Sequence, residues 1–169
     1  MAIECFQIEW EKPCLIEEVL QGSVVNEKGV YVRSKMSAGK LIPTYLGKST
    51  DFRSRSNIHG KYTKYSGADM GKQYISMGVI YSFEQTRMVL GCSPKQLKHI
   101  EDYLRNEADL KGNDPITKRG YNGPPIIIIN TGHTPKPLRK LMSHNQPLVD
   151  LLTDTIKLKR KPSVDSWPF

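Results

Sequence analysis

The sequence contains few cysteines and no long apolar stretch. Its three cysteines, Cys5, Cys14 and Cys92, show no C-x-x-C spacing, which argues against both a disulfide framework and a structural zinc site. No apolar run approaches the roughly 20 residues of a membrane-spanning helix. The N-terminal segment MAIECFQIEWEK carries acids and lacks a basic stretch followed by an apolar one, so it predicts no signal peptide. We therefore expect a cytoplasmic protein that does not associate with membranes.

Acidic residues are scarce relative to basic ones. The chain has 25 lysines and arginines against 17 aspartates and glutamates, which gives a formal net charge of +8. Such an excess favours a polyanionic partner, most often nucleic acid, although solvated surface lysines produce the same balance. The C-terminal segment KLKRKPSVDSWPF has two interpretations, a solvated tail or a basic arm that binds DNA phosphates. The arm would consist of Lys157, Lys159, Arg160 and Lys161.

Local patterns indicate one domain in a chain of 169 residues. β-Branched and aromatic residues predict strands in VVNEKGVYVRS, LIPTYLG and QYISMGVIYSF, and a short buried strand in IIIIN. N-terminal caps predict one helix over about 52–65 and a second that follows Ser93, begins at Pro94 and runs to Gly112. These elements predict an α+β fold in which helices flank a small antiparallel three-stranded sheet.

Two further segments lie in the extensions at either end. CLIEEVLQG is typical of a short helix or strand that stops at Gly22. PLRKLMSHNQPLVDLLTDTIKLKRK predicts a helix that is interrupted at Pro147.

Both helices of the predicted domain turn polar side chains towards the expected core. Arg55 and His59 fall within the apolar arc of the first helix, and Glu101 lies close to the apolar stripe of the second. The structural interpretation is a buried arginine stem, a hydrogen-bonded core histidine and a Glu–Arg ion pair, with Arg55 as one partner for Glu101. The functional interpretation is a site that both helices build on the sheet, with Glu107 as a rival carboxylate.

The triplets GVY at 29–31 and YLG at 45–47 resemble the signature of the GIY-YIG nuclease family. Thirteen residues separate the two tyrosines, Tyr31 and Tyr45, and this interval is ordinary for the family. The resemblance covers roughly residues 24–122, which leaves an N-terminal extension at 1–23 and a C-terminal extension at 123–169. Arg55 resembles the family's catalytic arginine, and His59 resembles a histidine found in many members. Glu101 resembles the metal-binding glutamate of the family. Asn122 resembles the asparagine that closes the domain in several members.

This resemblance implies a DNA endonuclease that hydrolyses phosphodiester bonds with Mg²⁺ or Mn²⁺ as cofactor. Glu101 would hold the metal, which would act as a Lewis acid on the phosphate. Arg55 would bind phosphoryl oxygens through its planar fork, and Tyr31 would activate or orient the attacking water. A phenol has a pKa of about 10, so Tyr31 needs a neighbouring cation such as Lys48. Supporting roles fall to Tyr45 and His59, which would orient the phosphate or relay a proton, and to Asn122.

The compact build resembles the restriction enzymes and the phage or mobile-element nucleases of the family. A sequence-recognising restriction-type enzyme is therefore the first expectation, with a homing, phage or repair nuclease as alternatives. A basic nucleic-acid-binding domain without catalysis is the alternative from a different functional class. Because one active site cuts one strand, double-strand cleavage would need a homodimer or two successive events.

Overall fold

The computed structural model describes residues 3–21, 28–52, 72–84, 87–108, 110 and 121–143. These ranges contain two helices and an eight-stranded sheet. The strands are β1 Glu4–Trp10, β2 Cys14–Leu15, β3 Gly29–Ser37, β4 Lys40–Ser49, β5 Gln73–Glu84, β6 Arg87–Leu90, β7 Ile126–Gly132 and β8 Leu141–Ser143, and the helices are α1 Ile16–Gln21 and α2 Pro94–Ala108.

The main path of the sheet runs β4–β3–β5–β1–β7–β8, and β2 and β6 each pair with β5 beside this path. The pairing of β1 with β7 is parallel, and the other strand pairs are antiparallel. The three strands expected around the two tyrosine triplets are confirmed as β3, β4 and β5, which are neighbours in the sheet.

The expected α+β fold, with helices around a small antiparallel three-stranded sheet, is wrong. The described residues are mostly β, and one curled, mixed sheet joins β3, β4 and β5 to the other strands. The physical reason lies in β1, where buried Phe6, Ile8 and Trp10 alternate with less buried residues. This apolar row pairs with β5 on one side and with β7 on the other, so the first residues of the chain lie inside the sheet.

The last strands of the sheet come from the segment that follows the predicted domain. IIIIN lies within β7, as predicted, with Ile126 and Ile128 buried. The helix expected from PLRKLMSHNQPLVDLLTDTIKLKRK is wrong where it is described, because Leu141–Ser143 form β8. Met142 lies opposite Ile128 in the register, so pairing with β7 overrides the local helical preference. Pro147 lies outside the described residues.

The two helices follow the sequence predictions only in part. CLIEEVLQG was expected to form a short helix or a strand, and it contains both, β2 and α1. α2 begins at Pro94 as predicted, where Ser93 and Gln96 form a reciprocal cap with N···O distances of 3.2 Å and 2.9 Å. It ends at Ala108, before the expected Gly112, and only Phe52 of the helix predicted over about 52–65 is described. No helix within the described ranges is long and apolar enough to cross a membrane.

Each face of the sheet carries its own apolar core. α2 packs on the face that contains Val30, Val32 and Leu46. On the opposite face, Tyr31 packs with Phe52 and with residues of α1 and β5. This division follows from the alternation of side chains along β3, which turns Tyr31 away from its neighbours Val30 and Val32.

We expect Asn130→Ala to destabilise the sheet strongly. Asn130 is 2% exposed; its Oδ1 accepts a hydrogen bond from Trp10 Nε1 at 2.8 Å, and its Nδ2 donates to the Arg139 carbonyl at 2.7 Å. Alanine leaves the buried Trp10 N–H and the partly buried Arg139 carbonyl without these partners, so the free energy of unfolding should fall by about 2 to 4 kcal/mol in denaturant titrations. Asn106→Ala, an exposed change on α2, should cost less than about 0.5 kcal/mol. Equal losses in the two variants would contradict this role for Asn130.

Candidate active site

The pairing of β3 with β4 brings the two tyrosine triplets side by side. Gly29 pairs with Ser49, Tyr31 pairs with Gly47, and Arg33 pairs with Tyr45. Tyr31 and Tyr45 therefore lie two positions apart diagonally on one face of the hairpin. Their ring centroids are 5.9 Å apart, so the structure brings together the two tyrosines that the sequence singled out.

Both triplet glycines lie beneath aromatic rings. A Cβ atom on Gly47 would lie 2.8 Å from the Tyr31 hydroxyl oxygen and 2.8 Å from Tyr45 Cε1. A Cβ atom on Gly29 would lie 2.7 Å from Cζ of Phe52 and would also collide with the Gly78 carbonyl. The absence of a side chain at Gly47 allows the Tyr31 ring to cross β4 and places its hydroxyl group beside this outermost described strand.

Glu101 reaches the same strand from the opposite face of the sheet. It lies on α2, is 8% exposed, and accepts a hydrogen bond from the backbone N–H of Lys48 at 3.3 Å through Oε1. Its Oε2 lies 3.2 Å from the Lys48 ammonium nitrogen. Because β4 ends the path of described strands, an outward N–H there has no neighbouring strand to accept it, and the carboxylate takes that place.

Arg105 connects the carboxylate to the tyrosines. Its Nη1 lies 3.7 Å from Glu101 Oε1, and its guanidinium carbon lies 6.0 Å from the centre of the Tyr45 ring. Its Nε is buried and makes no hydrogen bond with the described part of the chain. We call the resulting series of contacts, Tyr31–Tyr45–Arg105–Glu101–Lys48, the β4-edge cluster.

Arg105 is absent from the predicted site residues. The predicted arginine partner of Glu101 is Arg55, which lies outside the described residues. The available signal was the helical i, i+4 spacing between Glu101 and Arg105, which places the two side chains on one side of α2. Because Arg105 has a side chain that is only 17% exposed, its charge is held close to the cluster.

The other residues expected at the site are not joined to this cluster by a described contact. Arg55 and His59 lie outside the described residues, as do the four basic residues of the C-terminal arm, Lys157 to Lys161. Asn122 is exposed, and among the described residues it makes no hydrogen bond or ion pair with the cluster. The rival carboxylate, Glu107, lies 3.5 Å from Nη2 of Arg139.

Glu101 suits a metal that needs only one protein carboxylate. The described residues contain no group of three or more His, Cys, Asp or Glu side chains, so water and a substrate oxygen would supply the other ligands. Mg²⁺ is commonly bound in this way. Lys48 has a side chain that is 36% exposed, and a rotamer change would withdraw its ammonium group from Glu101 Oε2. Both Glu101 oxygens have protein partners in this structure, so a metal ion would have to displace at least one of them.

We expect Gly47→Ala to disturb the tyrosine pair. The new methyl group would lie 2.8 Å from atoms of Tyr31 and Tyr45, so at least one ring must move. Overpacking of this kind costs about 1 to 3 kcal/mol, which should appear as a lower melting temperature and a changed near-ultraviolet circular dichroism spectrum. Ser37→Ala, at an exposed position of the same hairpin, should leave both unchanged. An unchanged spectrum for Gly47→Ala would show that the rings do not cover this glycine.

The chain has no significant match among protein-family models, curated proteins or solved structures. The resemblance to GIY-YIG nucleases is therefore a prediction from the motif residues alone, of which Tyr31, Tyr45 and Glu101 lie in the β4-edge cluster.

Proposed function

We propose that this chain is a metal-dependent DNA endonuclease that hydrolyses phosphodiester bonds in the cytoplasm. The observation that carries the proposal is the β4-edge cluster, where two tyrosines, a carboxylate and two cations form one series of contacts. Phosphodiester hydrolysis needs these chemical groups, because water must be activated and negative charge on the phosphoryl oxygens must be neutralised. The net charge of +8 supports a polyanionic substrate.

Glu101 is the proposed metal ligand of the site. It would hold one Mg²⁺ or Mn²⁺, which would supply Lewis-acid neutralisation of charge on the phosphate and on the leaving oxygen. Lys48 pairs with Glu101 in this structure, and its release from the carboxylate would present an ammonium group to the incoming phosphate. Substrate binding and the withdrawal of Lys48 from Glu101 are thus coupled in this proposal.

The tyrosines would provide the proton chemistry of the proposed reaction. Tyr31 is buried in this structure, so substrate binding would have to open its hydroxyl group to water. As a phenolate, after losing its own proton to solvent, Tyr31 would orient the attacking water and take its proton, and Tyr45 would hold the ring of Tyr31 in place through their contact. Arg105 stabilises negative charge near the tyrosine pair, because its guanidinium lies by the Tyr45 ring. Arg55 and His59, which the motif supplies outside the described residues, would clamp the phosphoryl oxygens and relay the proton.

Among nucleases, a restriction-type enzyme that recognises a DNA sequence remains our first proposal, with homing, phage and repair nucleases as alternatives. One β4-edge cluster would cut one strand of the DNA. A double-strand break would therefore require a homodimer or two successive cuts. Mapping the cleavage ends on a DNA of diverse sequence separates these cases, since a fixed motif at the ends indicates restriction and scattered ends indicate repair.

A nucleic-acid-binding domain without catalysis is the second candidate. The pairing of Glu101 with Lys48 and Arg105 favours it, because the carboxylate is already neutralised by protein cations. The two candidates differ in one measurement. Incubation of plasmid DNA with the protein and Mg²⁺ or Mn²⁺ should produce nicks that EDTA abolishes if the protein is a nuclease, whereas DNA that is bound but intact would support the binding domain.

Glu101→Gln should remove metal-dependent cleavage while DNA binding persists. The change deletes the ligand charge with little change in shape, and we expect plasmid nicking to slow by about 10²- to 10³-fold, the scale of losing a key electrostatic group. Glu107→Gln is the matched control, since it neutralises a carboxylate on the same helix that pairs with Arg139, and it should cut at the wild-type rate. Near-normal nicking by Glu101→Gln would refute the site and make Glu107 the next candidate.

Tyr31→Phe should separate catalysis from packing. The ring that covers Gly47 remains, so the free energy of unfolding should fall by about 1 kcal/mol at most, while loss of the buried hydroxyl group should slow cleavage by about 10²- to 10⁴-fold. Tyr103→Phe is the control, because its hydroxyl is buried and makes no hydrogen bond within the described ranges. That variant should cut normally and gain up to about 1 kcal/mol of stability. Full activity in Tyr31→Phe would show that the Tyr31 hydroxyl serves packing alone.

A further inference from the structure

A second site candidate lies between the turn that joins β3 to β4 and the loop that joins β7 to β8. The two segments border a cleft of about 670 Å³. Lys40 enters it from the hairpin, and His133, Lys136 and Lys140 enter it from the loop. None of the described residues that line the cleft is acidic.

The three lysines of the cleft have no anionic partner in the described part of the chain. Lys40, Lys136 and Lys140 are all exposed, and no ion pair joins any of them to a described carboxylate. By contrast, Lys48 pairs with Glu101 and Lys98 pairs with Asp102. Three unpaired ammonium groups around one concave surface favour a ligand that carries negative charge.

Two serine hydroxyl groups add hydrogen-bond donors to the wall of the cleft. Ser34 on β3 and Ser76 on β5 line the same cleft and are only 5% and 2% exposed. A hydroxyl group on such a wall can donate a hydrogen bond to an acceptor oxygen of a ligand in the cleft.

We propose that this cleft binds phosphate groups of the DNA backbone, away from the β4-edge cluster. The three lysines would neutralise phosphate charge, and the serine hydroxyls would donate hydrogen bonds to phosphate oxygens. Phosphate is the chemistry that the cleft recognises, and the choice of DNA over a free mononucleotide rests on the proposed nuclease function. The cleft and the catalytic cluster are thus two parts of one DNA-binding surface.

Strand β4 connects the two parts. Lys40 begins this strand at the cleft, and Lys48 lies near its other end, in the cluster. At about 3.3 Å per residue, these two positions are about 25 Å apart. Phosphates follow one another about every 3.4 Å along the axis of a DNA strand, so the cleft would hold the backbone about seven nucleotides from the cut. Contacts at this distance require a duplex that extends that far.

The test compares two triple variants that lose the same charge. The cleft variant carries Lys40→Gln, Lys136→Gln and Lys140→Gln. The control variant carries Lys28→Gln, Arg87→Gln and Lys95→Gln, and these three residues are exposed and do not line the cleft. Binding of a duplex of about 30 base pairs is measured in EDTA against salt concentration. The cleft variant should lose up to about 2.7 from the slope of log K against log salt, which is about 0.9 for each phosphate contact, and the control should keep the wild-type slope.

A duplex that ends within about five base pairs of the cut should bind equally to wild type and to the cleft variant, because it cannot span the distance along β4. The double variant Ser34→Ala, Ser76→Ala should weaken binding of the long duplex without changing its salt slope. Equal slopes in the two triple variants would overturn the cleft as a DNA site. So would a cleft variant that keeps DNA affinity but loses binding of deoxyadenosine monophosphate, which would assign the cleft to free nucleotides.

Failure of this inference and failure of the proposed nuclease function are distinguishable. Binding in EDTA needs no catalysis, so a wild-type protein that never nicks DNA in Mg²⁺ but shows the expected difference between triple variants retains the cleft and loses the nuclease. A protein that nicks DNA while both triple variants share one salt slope retains the nuclease and loses the cleft.

Discussion

The register that places Tyr31 opposite Gly47 determines what each face of the β3–β4 hairpin presents. A shift of one residue would reverse every side chain of one strand, so Tyr31 would leave the face that it shares with Phe52, and Val30 and Val32 would leave α2. Gly47 stabilises this register because only a residue without a side chain leaves room for the Tyr31 ring. The same pairing therefore supports two apolar cores and brings the Tyr31 hydroxyl to the outer strand of the described sheet.

That outer strand, β4, explains why charged side chains gather at this edge of the sheet. An edge strand offers backbone N–H groups without a neighbouring strand, and such groups must be covered, charged or bonded by side chains. Glu101 satisfies one of them at Lys48, and the buried carboxylate is in turn neutralised by the ammonium group of Lys48 and by Arg105. An arrangement that protects a sheet edge thus also concentrates one anion and two cations beside a pair of tyrosines. The proposed catalytic role is compatible with this structural role, because the Lys48 side chain is partly exposed and a rotamer change would release it from Glu101.

Charge along β4 is distributed in a way that suits a long polyanion. The β4-edge cluster lies near one end of the strand and the lysine-lined cleft near the other. A small ligand would contact only one of these two sites. A DNA duplex along the strand would contact both, and neutralisation of several phosphates would then contribute affinity.

The sequence by itself determined the local elements and the chemistry of the motif. The strands β3, β4 and β5, the cap at Ser93 and the inward-facing Glu101 follow from patterns a few residues long, because turn residues, side-chain alternation and helix caps act over short distances. Only the tertiary structure decided what depends on remote partners. β1 pairs in parallel with β7 across more than a hundred residues, Leu141–Ser143 become a strand because β7 is beside them, and Lys48 of β4 meets Glu101 of α2. These outcomes depend on which surfaces meet after the chain has folded, and no pattern within a single segment contains that information.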